Sequence, residues 1–407
     1  MDRLQAQIAF LLTCDRLKSV TRQNRLHDGS RPENSAEHSW HLALMALTLV
    51  EYAPANTDIA RVVQLLMTHD LVEIYAGDAY IESSAELQAA QTRMERAAAE
   101  RLFALTPADQ SAEFHKLWDE FKARQTLEAQ FARELDALAP AMLTWGDGGQ
   151  GRADWGPPTA GYLAMKRRTM GHPVFLALFG SWMMREGVSF GEAGPVLPRL
   201  YAQINFLQTC DRLKTVQRTT FLHDDSRSEN SAEHSWHLGL MALTLGEYAP
   251  EGTNVGHVVQ LLLVHDLVEI GSGDLHFAAD QAALEGQSKA EAQAAQVLFA
   301  LLPSDQQPVF QALWEEFEAQ QTSDARFARA LDALHPILLT WAGGGVGCAG
   351  RAPELTAERV LCLKGPRLRA FPALWGLAQR TVAEAVAAGI MPTEQIGVLD
   401  GPLSAEV

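Results

Sequence analysis

Residues 33–52 read ENSAEHSWHLALMALTLVEY, and residues 229–248 read ENSAEHSWHLGLMALTLGEY. The two stretches agree at 18 of 20 positions and lie 196 residues apart. Asn34 and Glu37 have the spacing of a capping box, in which each side chain accepts a hydrogen bond from the other's backbone. Leu42, Met45 and Leu49 follow at three- and four-residue intervals, which places them on one helical face. The stretch therefore predicts a capped, amphipathic helix with His38 in its first turn. Its copy predicts a second such helix with His234 in the same place.

The repetition extends outward. Under the same shift, residues 4–18 match 200–214 at 12 of 15 positions, and 62–74 match 258–270 at 11 of 13. QFARELDAL (130–138) pairs with RFARALDAL (326–334). Repeats of this length are domain-sized, not solenoid units. The expected organisation is a first copy over 1–195, a second over 196–392 and a tail over 393–407. The join falls in EGVSFGEAGPVLP (186–198), rich in glycine and proline. The Gly-rich stretches 145–158 and 341–353 read as equivalent internal loops, because helical sequence follows each. IARVVQLLMTHDLVEI puts Val62, Val63 and Leu66 on one face, and EAQFARELDALAPAML does the same with Phe131, Leu135, Leu138 and Met142. No alternating β-branched run of useful length stands out. The expected fold class is all-α, two tandem helical lobes.

The 407 residues include 33 Lys and Arg against 50 Asp and Glu, a formal charge of −17, and 47% are hydrophobic. Each lobe can bury a core, and the acidic field argues against a nucleic-acid polymer as partner. A small phosphorylated molecule stays compatible, because a local cation overrides the mean field. Cys14 and Cys210 sit in apolar segments, and Cys348 and Cys362 form no CxxC with them. They read as reduced thiols. The N-terminus lacks a signal-peptide charge pattern and no 18-residue apolar run stands out, so the expectation is a soluble, cytoplasmic protein without a membrane partner.

Polar residues inside the apolar helices carry the chemistry. His38, His69, Asp70 and Asp136 recur as His234, His265, Asp266 and Asp332. A carboxylate at a helical core position is costly unless paired or metal-bound. Two imidazoles and two carboxylates suit Zn, Mn, Co, Fe or Ni. A single His-Asp pair is common by chance; recurrence of all four at one offset, while surface positions drift, makes the set informative.

The H…HD…D pattern resembles the HD-domain metal-dependent phosphohydrolases, and among them the small HD-domain 5′-deoxynucleotidases. RLKSVTR (16–22), RPENSAEHS (31–39), HDLVEIYAGD (69–78), LWDEF (117–121) and FARELDAL (131–138) carry the resemblance, with their copies in the second half. It implies one divalent metal per lobe, held by His38, His69, Asp70 and Asp136 and by His234, His265, Asp266 and Asp332. It implies Glu73 and Glu269 as the groups that orient or deprotonate water, with Asp78 and Asp274 as further acids. Arg22 and Arg218 would grip the phosphate; Arg31 and Arg227 are equally readable as ion-pair partners. The substrate implied is a nucleoside monophosphate. Single-lobe relatives of this kind commonly dimerise, so the chain is expected to be an intramolecular pseudo-dimer, with a further homo-oligomer open.

Departures from the family pattern are visible. Deoxynucleotidases that reject ribonucleotides have tryptophan just after the arginine, whereas Gln23 and Thr219 stand here. GDAYIESS and GDLHFAAD differ from each other and lack the usual proline. Two other readings stand beside this one. A di-iron oxygenase of the HD fold needs two further histidines per lobe, and the only candidates are His115 in the first copy and His276 in the second. A non-catalytic, nucleotide-sensing or assembly role for one or both lobes is the other. His41 and His237, one turn from the first ligand, read either as packing residues or as groups supporting that ligand, and Trp40, Trp118, Trp145 and their copies read as core anchors.

Overall fold

The computed structural model describes residues 2–78, 85–147, 150, 158–191, 197–275, 281–344 and 355–393. The first copy runs α1 (Arg3–Cys14), β1 (Thr21–Arg25), β2 (Pro32–Asn34), α2 (Ser35–Thr48), α3 (Ile59–Thr68), α4 (Glu73–Ala76), α5 (Ala85–Phe103), α6 (Ala108–Ala123), α7 (Leu127–Trp145), α8 (Ala160–Thr169) and α9 (Pro173–Arg185). The second repeats the order as α10 (Pro198–Cys210), β3 (Gln217–Phe221), β4 (Ser228–Asn230), α11 (Ser231–Leu245), α12 (Val255–Val264), α13 (Glu269–Ser272), α14 (Gln281–Phe299), α15 (Gln307–Ala319), α16 (Ser323–Trp341), α17 (Ala357–Leu368) and α18 (Pro372–Ala387). The fold is all-α, as two helical lobes. The tail after Thr393 and most of both Gly-rich stretches lie outside the described residues.

One element departs from the sequence reading. Each lobe contains a two-stranded antiparallel ribbon, β1 with β2 and β3 with β4. TRQNR and PEN show no apolar alternation because the ribbon lies largely at the surface and is held by backbone hydrogen bonds. Its place matters: β1 carries Arg22, and β2 carries Glu33 and leads directly into α2.

The capping box at the start of α2 is present. The Asn34 side chain accepts from the backbones of Ala36 and Glu37, and Glu37 accepts from the Asn34 backbone at 2.9 Å. The helix is not one-faced, however. Every residue of α2 except Leu47 is buried, and every residue of α11 except Leu243. The cause is that α2 packs on α3 and α7 within its lobe and on α11 across the lobes. An amphipathic pattern reports only the first of these.

The lobes meet through reciprocal pairs. The Trp40 indole donates to the Leu263 carbonyl and the Trp236 indole to the Met67 carbonyl, each at 3.2 Å. Asn34 Nδ2 donates to Glu233 at 2.6 Å and Asn230 Nδ2 to Glu37 at 2.7 Å, so each lobe's cap touches the other's. Arg31 and Arg227, read as possible phosphate helpers, bind these capping glutamates instead. Each also donates to a backbone carbonyl of the opposite lobe, that of Lys214 or Lys18. Gly239 stands where the first copy has Ala43, and a Cβ there would lie 2.6 Å from Met67 Cε. The absent methyl makes room for the other lobe's methionine.

Replacing Asn34 by alanine removes a helix cap and a cross-lobe donor together. Cap loss alone costs about 1–2 kcal/mol. A lowered urea midpoint, larger than that of an exposed Asn→Ala control such as Asn205, is the expected outcome.

Against the expectation of no 18-residue apolar run, the stretch Val255–Ser272 is long and apolar enough to cross a membrane by length and composition. It spans α12 and α13, is 56% buried, and includes His265, Asp266 and Glu269. Burial against its own lobe and the opposite one accounts for its composition.

Candidate metal centre

α2 delivers His38 from its first turn. α3 ends at Thr68, so His69 and Asp70 leave its C-terminus side by side. The His69 Nδ1 lies 2.8 Å from the Leu66 carbonyl, and His265 Nδ1 stands at the same distance from Leu262 O. A carbonyl only accepts, so Nδ1 carries the proton and the Nε2 lone pair faces inward. That Nε2 is buried without a hydrogen-bond partner among the described residues in both lobes. It lies 3.1 Å from Asp70 Oδ1 in the first lobe and 3.0 Å from Asp266 Oδ1 in the second.

His38, His69 and Asp70 present ligand atoms all within 4.8 Å of one another, and so do His234, His265 and Asp266. Asp136, midway along α7, reaches His38 Nε2 at 3.2 Å, and Asp332 on α16 reaches His234 Nε2 at 3.2 Å. Pro140 and Pro336 stand four residues beyond these aspartates inside their helices. Each removes the N–H that would bind the aspartate's own carbonyl, loosening the helix at that turn. All eight residues named from the sequence as ligands therefore converge as two sets of four. The donor set of imidazole nitrogens and carboxylate oxygens, with a buried unpartnered Nε2, fits a divalent transition ion.

The surrounding acids and arginine converge too. Arg22 Nη1 donates to Asp70 Oδ2 at 2.8 Å and Arg218 Nη1 to Asp266 Oδ2 at 2.9 Å. Glu73 and Glu269, one turn after the His-Asp pairs, accept from Ser35 Oγ at 2.6 Å and Ser231 Oγ at 2.5 Å. Gly77 and Gly273 follow with φ of 73° and 75°. This left-handed turn, which glycine adopts without a Cβ clash, brings Asp274 Oδ1 to 3.6 Å from Arg218 and lets Asp78 accept from the Gln23 backbone. Residues 79–84 and 276–280, where the lobes diverge after the GD pair, lie outside the described residues.

Electrostatics favour a cation here. Burial disfavours the His38 imidazolium and Arg22 adds to that, but Asp136 and Glu33 outweigh both and lift its pKa to about 9. Burial also works against the Asp70 carboxylate, yet the Arg22 guanidinium holds it below the usual carboxylate range. Glu73 goes the other way: burial and the Asp70 charge push it well above that range despite Arg22. Glu269 behaves alike beside Asp266. Each lobe thus pairs ionised aspartates with a neighbouring glutamate that tends to keep its proton.

Four groups were missed from the sequence. Ser35 and Ser231 hold the glutamates. Glu33 Oε2 faces His38 Nδ1 at 3.5 Å and Arg22 Nε at 3.8 Å, and Glu229 Oε1 faces His234 Nδ1 and Arg218 Nε, each at 3.5 Å. Lys18 and Lys214 bind these glutamates from the opposite lobe. All of these lie inside the repeated blocks 4–18 and 33–52 and their copies, and that recurrence is the signal that marks them in the sequence. His335, aligned with Ala139, is the fourth, and it exists in one lobe only. His237 Nε2 donates to Leu11 O, so its Nδ1 accepts from His335 Nε2 at 3.1 Å. His335 Nδ1 is then left to accept from His234 Nδ1, also at 3.1 Å. That chain leaves the His234 Nε2 lone pair aimed at the site. His115, weighed for a second iron, stands edge-on to Phe103 on α6 and joins no ligand cluster among the described residues. His276 lies outside them.

The family model described as HD domain matches residues 14–168 and 210–374. The chain belongs to the HD-domain family. Both matched segments contain all four candidate ligands of their lobe. Among the relatives, 5′-deoxynucleotidase HDDC2 of Bos taurus is 34% identical over 136 residues, 33% of this chain and 64% of the relative's length. The Homo sapiens protein of the same name is 32% identical over 136 residues, with 33% and 65% covered. This chain thus matches slightly under two thirds of either relative. A solved structure described as a predicted metal-dependent phosphohydrolase from Magnetospirillum magnetotacticum MS-1 is 43% identical, covering 48% of this HD-domain chain and 96% of its own, with a TM-score of 0.44.

Proposed function

We propose that this HD-domain protein is a metal-dependent phosphomonoesterase that hydrolyses (deoxy)nucleoside monophosphates to nucleoside and phosphate, with one site in each lobe. The observation that carries the reading is the buried, unpartnered Nε2 of His69 and His265 beside an aspartate bound by an arginine. The names of the relatives supply the substrate class. His38, His69, Asp70 and Asp136, and their copies, would hold one ion of Co, Mn, Zn, Fe or Ni per lobe. When bound, that ion supplies charge neutralisation of the phosphoryl group and a lowered pKa for water.

The chain's own residues supply the rest. Arg22 and Arg218 turn their guanidinium forks from the aspartates to the non-bridging phosphate oxygens, where a paired N–H fork is strongest. Glu73 and Glu269 are the proton-handling groups. Held by serine and kept partly protonated by the neighbouring aspartate, each takes a proton from water or returns one to the leaving oxygen. Asp78 and Asp274 keep the arginines extended across the site.

We read the domain boundary at residues 195/196, and the chain as the covalent equivalent of a two-fold homodimer, whose interface uses the same patch twice. The reciprocal contacts at Trp40/Trp236 and Asn34/Asn230 support this. Free, buried Cys14 and Cys210 support a reducing, cytoplasmic setting.

The test is phosphate release from a panel of nucleoside monophosphates after removal of metal and reloading with each of the five ions. Release restored by at least one ion is expected. A panel that stays silent with every ion sinks the reading. Arg22→Ala combined with Arg218→Ala is expected to lower kcat/KM by about 10²-fold while the protein still retains its metal. Loss of metal in that variant would reassign the arginines to structure. Disabling each lobe separately, by His69→Ala or His265→Ala, asks whether both lobes turn over or one only senses nucleotide.

A further inference from the structure

The lysine shared by both copies of the RLK segment, Lys18 and Lys214, has no part in the chemistry above, yet it is fully buried in each. Lys214 Nζ sits 2.7 Å from Glu33 Oε1, 2.5 Å from Asp211 and 2.9 Å from His41 Nδ1. Glu33, His41 and Asp211 have the spacing of a cation site, and the ammonium occupies it. In the reciprocal place, Lys18 Nζ is 3.0 Å from Glu229 Oε2 and 2.6 Å from Asp15 Oδ1. The glutamate in each pair belongs to the lobe opposite the lysine.

The two oxygens of each glutamate have different partners. Glu33 Oε1 takes the Lys214 ammonium, while Oε2 faces His38 Nδ1 and Arg22 Nε. Glu229 Oε2 takes Lys18, while Oε1 faces His234 Nδ1 and Arg218 Nε. One carboxylate thus links a lysine of one lobe to both a proposed metal ligand and the proposed phosphate arginine of the other. No described partner of Lys18 belongs to the ligand set of its own lobe; Asp15 holds the His223 backbone across the interface instead.

Building on the metal-site reading above, we infer that Lys18 and Lys214 are positioning residues acting in trans: each fixes the carboxylate that orients the histidine and arginine of the opposite lobe's site. Neither lysine touches substrate or metal. Its effect passes through the glutamate, in the way an outer hydrogen-bond partner sets the orientation and basicity of a ligating imidazole. Each lobe's centre is therefore incomplete without a side chain from the other.

The experiment uses the full chain with one site disabled at a time. In His69→Ala only the second lobe keeps its ligand set, and in His265→Ala only the first. Co²⁺ affinity of the remaining site is read by titration of its d–d absorbance. Adding K18M to the His69→Ala chain is expected to weaken Co²⁺ binding by about 10- to 100-fold, whereas adding K214M leaves binding near the parent. In the His265→Ala chain the pattern inverts. A lysine that merely stabilised the fold would depress both backgrounds alike, and that result, or parental affinity throughout, overturns the inference. Thermal melts accompany each variant. Should K18M unfold at assay temperature, K18M/E229Q removes both partners' charges together and carries the same expectation. A folded double variant with parental affinity overturns the inference as well. If both single-site parents bind no Co²⁺, the metal reading itself falls; parents that bind, with lysine variants matching them, refute only the action in trans.

Discussion

Replacing His69 and His265 together by alanine is expected to give a folded protein that retains no divalent metal and whose phosphate release falls by roughly 10³-fold or more. The size of the effect follows from where the two imidazoles sit. Each closes the C-terminal end of its helix with Nδ1 tied to a backbone carbonyl, so Nε2 has one available use, as a donor to an ion. Alanine removes that donor and leaves each lobe with three of its four candidate ligands. Stability should suffer less than activity, because the lost nitrogen is unpartnered and the lost carbonyl contact lies at a helix end. Metal analysis, phosphate release and a thermal melt on the same preparation check the prediction. Unchanged turnover in the double variant would place the chemistry elsewhere.

Replacing Trp40 or Trp236 by alanine is expected to cost about 3–5 kcal/mol each, the largest stability loss among the single substitutions considered. Both indoles are wholly buried. Each donates to a carbonyl two residues before the His-Asp pair of the other lobe, Leu263 O or Met67 O. Those carbonyls belong to the last turn of α12 and α3, where a helix has no internal donor left to offer. Each tryptophan therefore fills core volume and also closes the helix end that presents the opposite lobe's histidine. The denaturation midpoint of Trp40→Ala should fall, and the second lobe's metal affinity should fall with it. Trp40→Phe separates the two parts, keeping most of the volume and losing the hydrogen bond. A Trp40→Ala protein as stable as its parent would contradict the packing.

The lobes and the two clusters of four candidate ligands were legible in the sequence for one physical reason. Duplication aligns each functional side chain with a copy of itself, so His38, His69, Asp70 and Asp136 stand out against drifting surface positions. The periodicity of α2 was legible as well, but not its burial on every side, since that depends on a surface 196 residues further along. The ribbon bearing Arg22 and Glu33 escaped because five- and three-residue strands near solvent need no apolar alternation. Lys18 escaped for a related reason: Asp15 is near it in sequence, but Glu229, the partner that ties it to the opposite site, is 211 residues distant and lies in the other lobe. His335 was visible as a histidine opposite Ala139, yet only the fold reveals that it stands between His234 and His237.

The Gly239–Met67 contact has a consequence for how such a molecule can change over generations. When two identical polypeptides associate, every mutation at their boundary arises on both sides at once, and the boundary has to accommodate it twice. Joining the halves in one gene removes that constraint. A methionine can grow into the space of a missing methyl on one side while Ala43 and Leu263 stand at the corresponding places on the other. His335 opposite Ala139 is a divergence of the same kind beside the proposed metal ligands, so each half is free to acquire its own specialisation while the boundary keeps them together.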